Sequence, residues 1–181
     1  MEVLTFCPAN RQEWRQWLQQ HHDNTQSVWL VYYKKQANRP TITWSEAVDE
    51  ALCFGWIDST ARPIDEEKFM QFFTKRKATS VWSKINKEKI KRLTAAGLMT
   101  PAGRKCISLA QKNGSWSILD EVEELKIPKD LEEAFKEKRG SKAHFKGLSR
   151  STQKSYLQKL VLAKRPETRL KRIQEIISLG E

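Results

Sequence analysis

A long apolar run in this chain ends in a short polar stretch. The residues of interest there are those from Trp56 to Arg62. If these residues form a β-strand, every second side chain projects from the same face. That face then carries an indole, a carboxylate, a hydroxyl and a guanidinium, contributed by Trp56, Asp58, Thr60 and Arg62. The combination predicts a small polar pocket with Trp56 as its floor. The alternative is an Asp58–Arg62 ion pair on the solvent face of a sheet, where such pairs contribute little to stability.

A second candidate is the cationic stretch from Thr74 to Asn86, which reads TKRKATSVWSKIN and leads into a predicted helix. The exposed backbone N–H groups at a helix N-terminus attract anions. Arg76 and Ser80 could complete a site for phosphate or carboxylate there, and Trp82 offers a flat surface on which a ring could stack. An ordinary serine N-cap beside a solvated basic turn explains the same residues. The stretch lacks the glycines of a P-loop or a dinucleotide-binding turn, which argues against an NTPase or an NAD enzyme.

Our leading hypothesis places both groups around one hollow, because each combines an aromatic ring with polar or cationic side chains. The predicted ligand is a small anion or a peptide with an acidic group. The residues expected to line the hollow are Trp56, Asp58, Arg62, Arg76, Ser80, Trp82 and Asn86. We expect no cofactor. We also expect no metal site, because no histidine is spaced with cysteine or carboxylate pairs as metal ligands are.

The alternative function is weak, sequence-independent binding of nucleic acid, suggested by a formal net charge of +11. Arg165, Arg169 and Arg172 recur at helical spacing and could form a cationic stripe. Lys75 and Lys77 would add to it from the basic loop. A solvated helix face is the plain interpretation of such a stripe. No known nucleic-acid-binding motif, such as a zinc finger or an RNP strand, occurs in the chain.

An enzyme is a third possibility, since Asp58 could act as the general base of a hydrolase or transferase. Little else supports catalysis, because the chain has no G-x-S-x-G nucleophile elbow. The cysteines, Cys7, Cys53 and Cys106, form no CxxC pair, and we expect reduced thiols in a cytoplasmic protein. The N-terminus lacks the features of a signal peptide, and no apolar run is long enough to span a membrane.

Strand and helix signals alternate in the first part of the chain. The predicted strands are Val3–Phe6, Ser27–Tyr33, Trp56–Ile64 and Lys68–Thr74, the last two forming a hairpin. Asn10 is the predicted N-cap of a first helix that ends near His21. Thr43 and Glu46 form a capping box for a second helix, which ends before Gly55 at positive φ. These elements predict a small mixed sheet with helices.

Helix signals dominate the rest of the chain. Ser80 or Ser83 caps one predicted helix, and Thr100 caps another with Pro101 in its first turn. Beyond an acidic connector at 115–128, the predicted helices are 130–138, 149–164 and one that starts at Pro166. We therefore expect an α+β fold. Residues 1–115 should form an N-terminal small mixed sheet with helices, and residues 116–181 an α-helical C-terminal region packed on it as one unit.

Three stretches of the sequence resemble a known family in the order in which they occur. They are EALCFGWIDS, FFTKRKATSVWSKINKEKIKRLTAAGLMTPAG and LSRSTQKSYLQKLVLAKRPETRLKRIQEII. Together they resemble the bacterial YdeI/OmpD-associated proteins, also called bacteriocin-protection proteins. The family usually has a glycine soon after its WID motif, where this chain has Ser59.

The resemblance implies a bacterial protein with roles in envelope stress, porin association and resistance to peptide antibiotics or bacteriocins. It carries over no catalytic residue. A porin-associated role in the periplasm fits poorly with the absence of an export signal in this sequence.

Overall fold

The structure is a computed structural model that describes residues 4–179 of the chain. It divides into two compact units, Met1–Trp116 and Ser117–Glu181. The first unit contains a four-stranded mixed sheet with helices, and helices dominate the second. The predicted α+β fold class is therefore confirmed.

The first unit follows the predicted order of elements. They are β1 (Thr5–Phe6), α1 (Arg11–His21), β2 (Ser27–Tyr33), a 3₁₀ turn (Lys35–Ala37), α2 (Trp44–Cys53), β3 (Trp56–Pro63), β4 (Lys68–Lys75), α3 (Lys84–Ala95) and α4 (Pro101–Lys112). β1 is shorter than the predicted strand, whose first residue, Val3, lies outside the described residues. Of the two predicted caps of α3, Ser83 is the one used, because its hydroxyl accepts a hydrogen bond from the Asn86 N–H.

The second unit consists of short helices. They are α5 (Asp120–Glu123), α6 (Lys129–Glu137), α7 (Ser141–Gly147), α8 (Arg150–Val161) and α9 (Pro166–Ile177). The sequence analysis does not anticipate α5, which lies in the acidic connector, or α7, which follows Gly140 at φ 88°. Arg169 of α9 donates to both carboxylate oxygens of Asp130, at 2.6 and 2.9 Å, and so ties α9 to the first turn of α6. Among the described residues, no helix combines the length and the apolar composition needed to cross a membrane.

One face of the sheet carries the core of the first unit. The strand order is β1-β2-β4-β3, with β1 parallel to β2 and the other neighbours antiparallel. Val28, Leu30 and Tyr32 of β2 and Phe73 of β4 are buried on this face. The alternate residues of β2 project from the opposite face and are only half-buried. This alternation is the pattern of a sheet that is covered on one side.

A β-bulge in β3 changes which side chains share a face. Asp58 lies opposite Phe73, and Ala61 lies opposite Gln71, so three steps along β3 match two along β4. The extra residue reverses the alternation beyond it. Arg62, opposite Met70, therefore projects from the other face of the sheet than Asp58. The expectation that Asp58 and Arg62 lie on one face is wrong, because it assumed an unbroken strand.

Two adjacent carboxylates hold α2 between its neighbouring helices. Asp49 and Glu50 are 3% and 1% exposed, and each accepts hydrogen bonds from two cations. Glu50 bonds to Arg11 and Arg15 of α1, and Asp49 bonds to Lys89 and Arg92 of α3.

The start of α4 packs tightly against the end of α2. A side chain at Gly103 would place its Cβ 2.3 Å from the Cys53 carbonyl oxygen, so only glycine fits this approach. The Thr100 hydroxyl, which caps α4, donates to the same carbonyl at 2.6 Å. Gly55 follows α2 at φ 74°, as predicted, and its Cα also faces α4. These contacts bring α4 next to the junction of α2 and β3.

Candidate functional site

A cleft of about 320 Å³ opens in the first unit where α4 faces the junction of α2 and β3. We call it the α4 cleft. Phe54 and Trp56, 4% and 1% exposed, form part of its apolar wall. Lys75 and Arg76 line it from the end of β4. The cleft thus combines an apolar surface with cations, which is the usual composition of a site for a small organic anion.

One face of α4 forms the opposite wall. Its contributing residues are Ala102, Lys105, Cys106 and Leu109, which follow the i, i+3, i+4, i+7 spacing of one helix face. Lys105 is exposed, and no ion pair of Lys105 occurs in the described part of the chain. The wall therefore adds a positive charge above a mainly apolar surface.

Arg76 is the most unusual residue of the cleft. Its guanidinium carbon lies 3.6 Å from the centroid of the buried Trp82 ring. Its Nη2 donates to the Val81 carbonyl oxygen at 2.6 Å. Its Nε and Nη1 are buried, and neither has a hydrogen-bond partner among residues 4–179. Two donors of a charged group are thus left unsatisfied.

The charge of Arg76 is also uncompensated at short range. No carboxylate of the described residues forms an ion pair with it. Burial lowers the pKa of Arg76 to about 10, and the negative charge of Asp58, which forms no ion pair with it, opposes this only in part. The guanidinium stays protonated at neutral pH. A buried cation without a partner is costly to the folded protein.

The rim of the cleft is formed by the turn after α1. Lys75 donates to the Asp23 carbonyl oxygen at 2.6 Å, which holds the end of β4 against this turn. His22 lies 3.3 Å from the Asp23 carboxylate. An adjoining hollow shares His22, Asp23 and Lys105 with the cleft and extends to the first turn of α4. The ligand-accessible space therefore continues from Arg76 towards the N-terminus of this helix.

Cys106 gives the cleft a thiol but no nucleophile for neutral pH. Burial raises the pKa of Cys106, and the positive charge of Arg76 opposes the rise without cancelling it. The protonated thiol is a poor nucleophile, because the reactive species is the thiolate. Within residues 4–179, no group of three His, Cys, Asp or Glu side chains is arranged to hold a metal ion.

Of the residues predicted for a shared hollow, Trp56 and Arg76 line the cleft. Trp82 lies beneath the Arg76 guanidinium and is 1% exposed. Asp58 is directed elsewhere, because its Oδ2 accepts hydrogen bonds from the Trp44 indole at 2.9 Å and the Gln71 amide at 3.1 Å.

The remaining predicted residues do not line the cleft. Arg62 stacks over Trp29 on the far face of the sheet, with its guanidinium carbon 5.0 Å from a ring centroid of that indole. The Ser80 N–H donates to the Lys77 carbonyl oxygen in a turn, and Asn86 lies in the first turn of α3. The described residues therefore form no single hollow that contains all seven predicted side chains. Of the seven predicted side chains, Trp56 and Arg76 are the two that line the α4 cleft.

The predicted cationic stripe of the C-terminal helix is largely engaged in the fold. Arg169 bonds to Asp130, and Arg172 donates to the Lys159 carbonyl oxygen. Arg165 is exposed at the N-cap of α9. Of the two lysines proposed with the stripe, Lys75 lines the α4 cleft and Lys77 is exposed in the loop after β4.

Sequence reasoning missed the whole contribution of α4. The predicted helix and its Thr100 cap are confirmed, but nothing local shows which of its faces lines a cavity. The spacing of Ala102, Lys105, Cys106 and Leu109 is the available signal, since it places a lysine and a cysteine on a mostly apolar face. His22 was missed because it lies beyond the predicted end of α1.

The fold and the cleft define an α+β domain with a cationic cleft, followed by a separate helical unit. Comparison with known families matches residues 6–106 to the Domain of unknown function (DUF8412). Because this match covers more than half of the chain, the protein belongs to the DUF8412 family. Residues 124–179 match the family described as Bacteriocin-protection, YdeI or OmpD-Associated, which confirms the predicted resemblance in the C-terminal unit. No curated protein and no solved structure gave a significant match.

Proposed function

We propose that the protein is a cytoplasmic binding protein whose α4 cleft takes a small anionic ligand, such as a phosphate ester or a carboxylate. The observation that supports this most strongly is the buried Arg76 guanidinium, which has two unsatisfied donors and no ion-pair partner among the described residues. An anion in the cleft would supply the missing charge and hydrogen-bond acceptors. Charged hydrogen bonds of this kind are among the strongest in proteins.

The rest of the cleft suits a ligand with an apolar part beside its anionic group. Leu109, which is 45% exposed, offers apolar surface, and Lys105 adds a second positive charge at the opening. A volume of about 320 Å³ lies at the lower end of the range for small-molecule sites. We therefore favour a small ligand over an extended acidic peptide.

Calorimetric titration tests the proposal directly. Inorganic phosphate and adenosine monophosphate serve as probes, each titrated into the wild type and into Arg76→Gln. Loss of the guanidinium should weaken binding about tenfold or more, as expected for a charged hydrogen bond. Arg104→Gln is the matched control, since Arg104 is an exposed α4 arginine whose guanidinium donates to the Met99 carbonyl oxygen. Equal affinities of wild type and Arg76→Gln for every anion that binds would refute the proposal.

Cys106 provides an independent test of where the anion binds. Its thiol lines the cleft, whereas Cys53 is fully buried and Cys7 is exposed. In a Cys7→Ser background, alkylation by iodoacetamide at raised pH should therefore report mainly on Cys106. A bound anion should slow the reaction, and it should not do so in Arg76→Gln.

A role in bacteriocin or antimicrobial-peptide protection, or in envelope stress, is the biological part of the proposal. The match of residues 124–179 to the Bacteriocin-protection, YdeI or OmpD-Associated family supports it. A deletion strain complemented with wild type or Arg76→Gln should differ in its survival of peptide antibiotics. If both genes restore survival equally, the anion site and the protective role are separate.

A further inference from the structure

The sheet of the first unit has a second face, whose residues on β2 and β4 do not belong to the core cluster. The large apolar side chains that project outward from the middle of β2 and β4 are half-buried. They are Trp29, Val31, Met70 and Phe72, which we call the outer face. The Trp29 and Phe72 rings are direct cross-strand partners, with centroids 5.0 Å apart. Large aromatic side chains clustered on an accessible sheet face are typical of binding surfaces.

Two arginines stack on aromatic side chains that project outward from β2. Arg62 reaches the outer face because of the bulge in β3, and its guanidinium stacks over Trp29. Arg39 stacks over Tyr33, with 5.6 Å between its guanidinium carbon and the ring centroid. Tyr33 is the next outward residue of β2 beyond Val31. A stacked guanidinium keeps its outer plane and its N–H edges available for a further ring or for phosphate.

The charges near this face favour an anionic partner. The outward side chains of β2, β3 and β4 include Arg62 and Lys68 but no carboxylate. The β3–β4 turn contains the carboxylates Asp65, Glu66 and Glu67. Asp65 forms an ion pair with Lys68, so Arg62 is the cation of this face on which the preference for an anion rests. A second copy of the chain is a poor fit, because a two-fold interface would bring Arg62 close to its own symmetry mate without a carboxylate to pair with it.

We propose that the outer face binds single-stranded nucleic acid by stacking bases on Trp29, Phe72 and the Arg62 guanidinium. Unpaired bases stack on aromatic side chains regardless of sequence, and arginines add contacts to phosphate. The bases of a duplex are already stacked on one another and cannot do this. The surface differs from the C-terminal stripe that the sequence suggested, since Arg169 and Arg172 are engaged within the second unit.

Fluorescence anisotropy with a labelled oligothymidylate tests the proposal on the full-length protein. Trp29→Ala and Phe72→Ala should each weaken binding about tenfold, as expected for loss of one base–aromatic stack. Trp29→Phe keeps a ring and should retain most of the affinity. Trp44→Ala is the matched control, because Trp44 is 52% exposed on α2 and lies away from the outer face. Circular dichroism melting establishes that each variant is folded.

Three results would overturn the proposal. One is the absence of oligonucleotide binding by the wild type at low salt, where such binding is strongest. Another is equal binding by Trp29→Ala, Trp44→Ala and the wild type. The third is a Trp29→Ala variant that dissociates a dimer in sedimentation experiments but binds the oligonucleotide with unchanged affinity. Arg76→Gln should bind the oligonucleotide with wild-type affinity. Failure of the outer-face proposal is therefore distinguishable from failure of the α4 cleft proposal.

Discussion

At the scale of single residues, the first unit contains buried charges of two kinds. Asp49 and Glu50 are buried carboxylates, and each has two cationic partners within hydrogen-bond distance. Arg76 is a shielded cation with no such partner among the described residues. Buried charges are tolerated where they are paired. This contrast indicates that Asp49 and Glu50 stabilise the fold. Arg76 is the residue whose missing hydrogen-bond acceptors a ligand could supply.

We expect Glu50→Gln to destabilise the first unit. The amide keeps the shape of the side chain but removes the charge that Arg11 and Arg15 share. The free energy of unfolding should fall by about 2 kcal/mol, below the full cost of breaking a buried ion pair, because both arginines are partly exposed. Urea denaturation measures the change. Glu88→Gln is the control, since the exposed Glu88–Lys84 pair should contribute less than about 0.5 kcal/mol.

A second residue-scale prediction concerns acid stability. Burial alone would raise the pKa of Asp49, but hydrogen bonds from Lys89 and Arg92 lower it below its ordinary value. A carboxyl whose pKa is lower in the folded state stabilises the protein above its unfolded pKa of about 4, and this contribution is lost as the pH falls through the folded value. Asp49→Asn should therefore be less stable than wild type at pH 7, and the difference should shrink below about pH 4. Urea unfolding at a series of pH values measures both curves, and a difference independent of pH would contradict the prediction.

At the scale of elements, the position of α4 decides whether the cleft exists. Gly103 lets this helix approach the Cys53 carbonyl, and the Thr100 hydroxyl binds the same oxygen. The helix then presents Lys105 and Cys106 to the end of β4. The shape of the cleft therefore depends on a backbone contact in the same helical turn as Ala102 and Cys106, which line it.

Gly103→Ala should displace α4 and impair the cleft. The added Cβ would lie 2.3 Å from backbone, which cannot rotate away as a side chain could. We expect a loss of about 1–3 kcal/mol of stability, typical of overpacking, together with weaker phosphate binding. Thermal melting and calorimetry measure the two effects. Gly147→Ala is the matched control, because a Cβ at Gly147 meets no atom within 4 Å and alanine favours helix.

At the scale of the whole molecule, the chain divides into two compact units. The core cluster that includes Trp14, Leu30 and Trp56 lies within Met1–Trp116, as do all residues of the α4 cleft. The two family matches also fall on different units, residues 6–106 and residues 124–179. Structure and family comparison therefore divide the chain in the same region.

This division predicts that damage to the second unit spares the anion site. Arg169→Gln removes the bidentate bond to Asp130 and should destabilise the second unit by roughly 1–3 kcal/mol. Amide hydrogen exchange should accelerate in α6 and α9 but not in β2 and β4, and phosphate affinity should be unchanged. Arg165→Gln, at an exposed position, serves as the control. Faster exchange throughout the first unit would show that the two cores are coupled.

Much of the secondary structure is predictable because its signals are local. Asn10, Thr43, Thr100 and Ser149 each accept a hydrogen bond from the third residue beyond them, as a helix cap requires. The hairpin of β3 and β4 follows from its alternating residues. The bulge at Asp58 is not predictable in this way, because an extra residue leaves no mark in the alternation until the partner strand is known.

By itself, the sequence determined the α+β class and the helix caps, and it named Trp56 and Arg76 as candidate site residues. These follow from residue types and short spacings, which act within a few residues along the chain. Only the tertiary structure decided that Arg62 leaves the predicted site, that α4 completes the cleft, and that Arg76 is left without a partner. Those outcomes depend on contacts between residues distant in sequence, such as Gly103 with Cys53 and Arg76 with Cys106. Such contacts arise from packing of the whole unit, which local patterns do not encode.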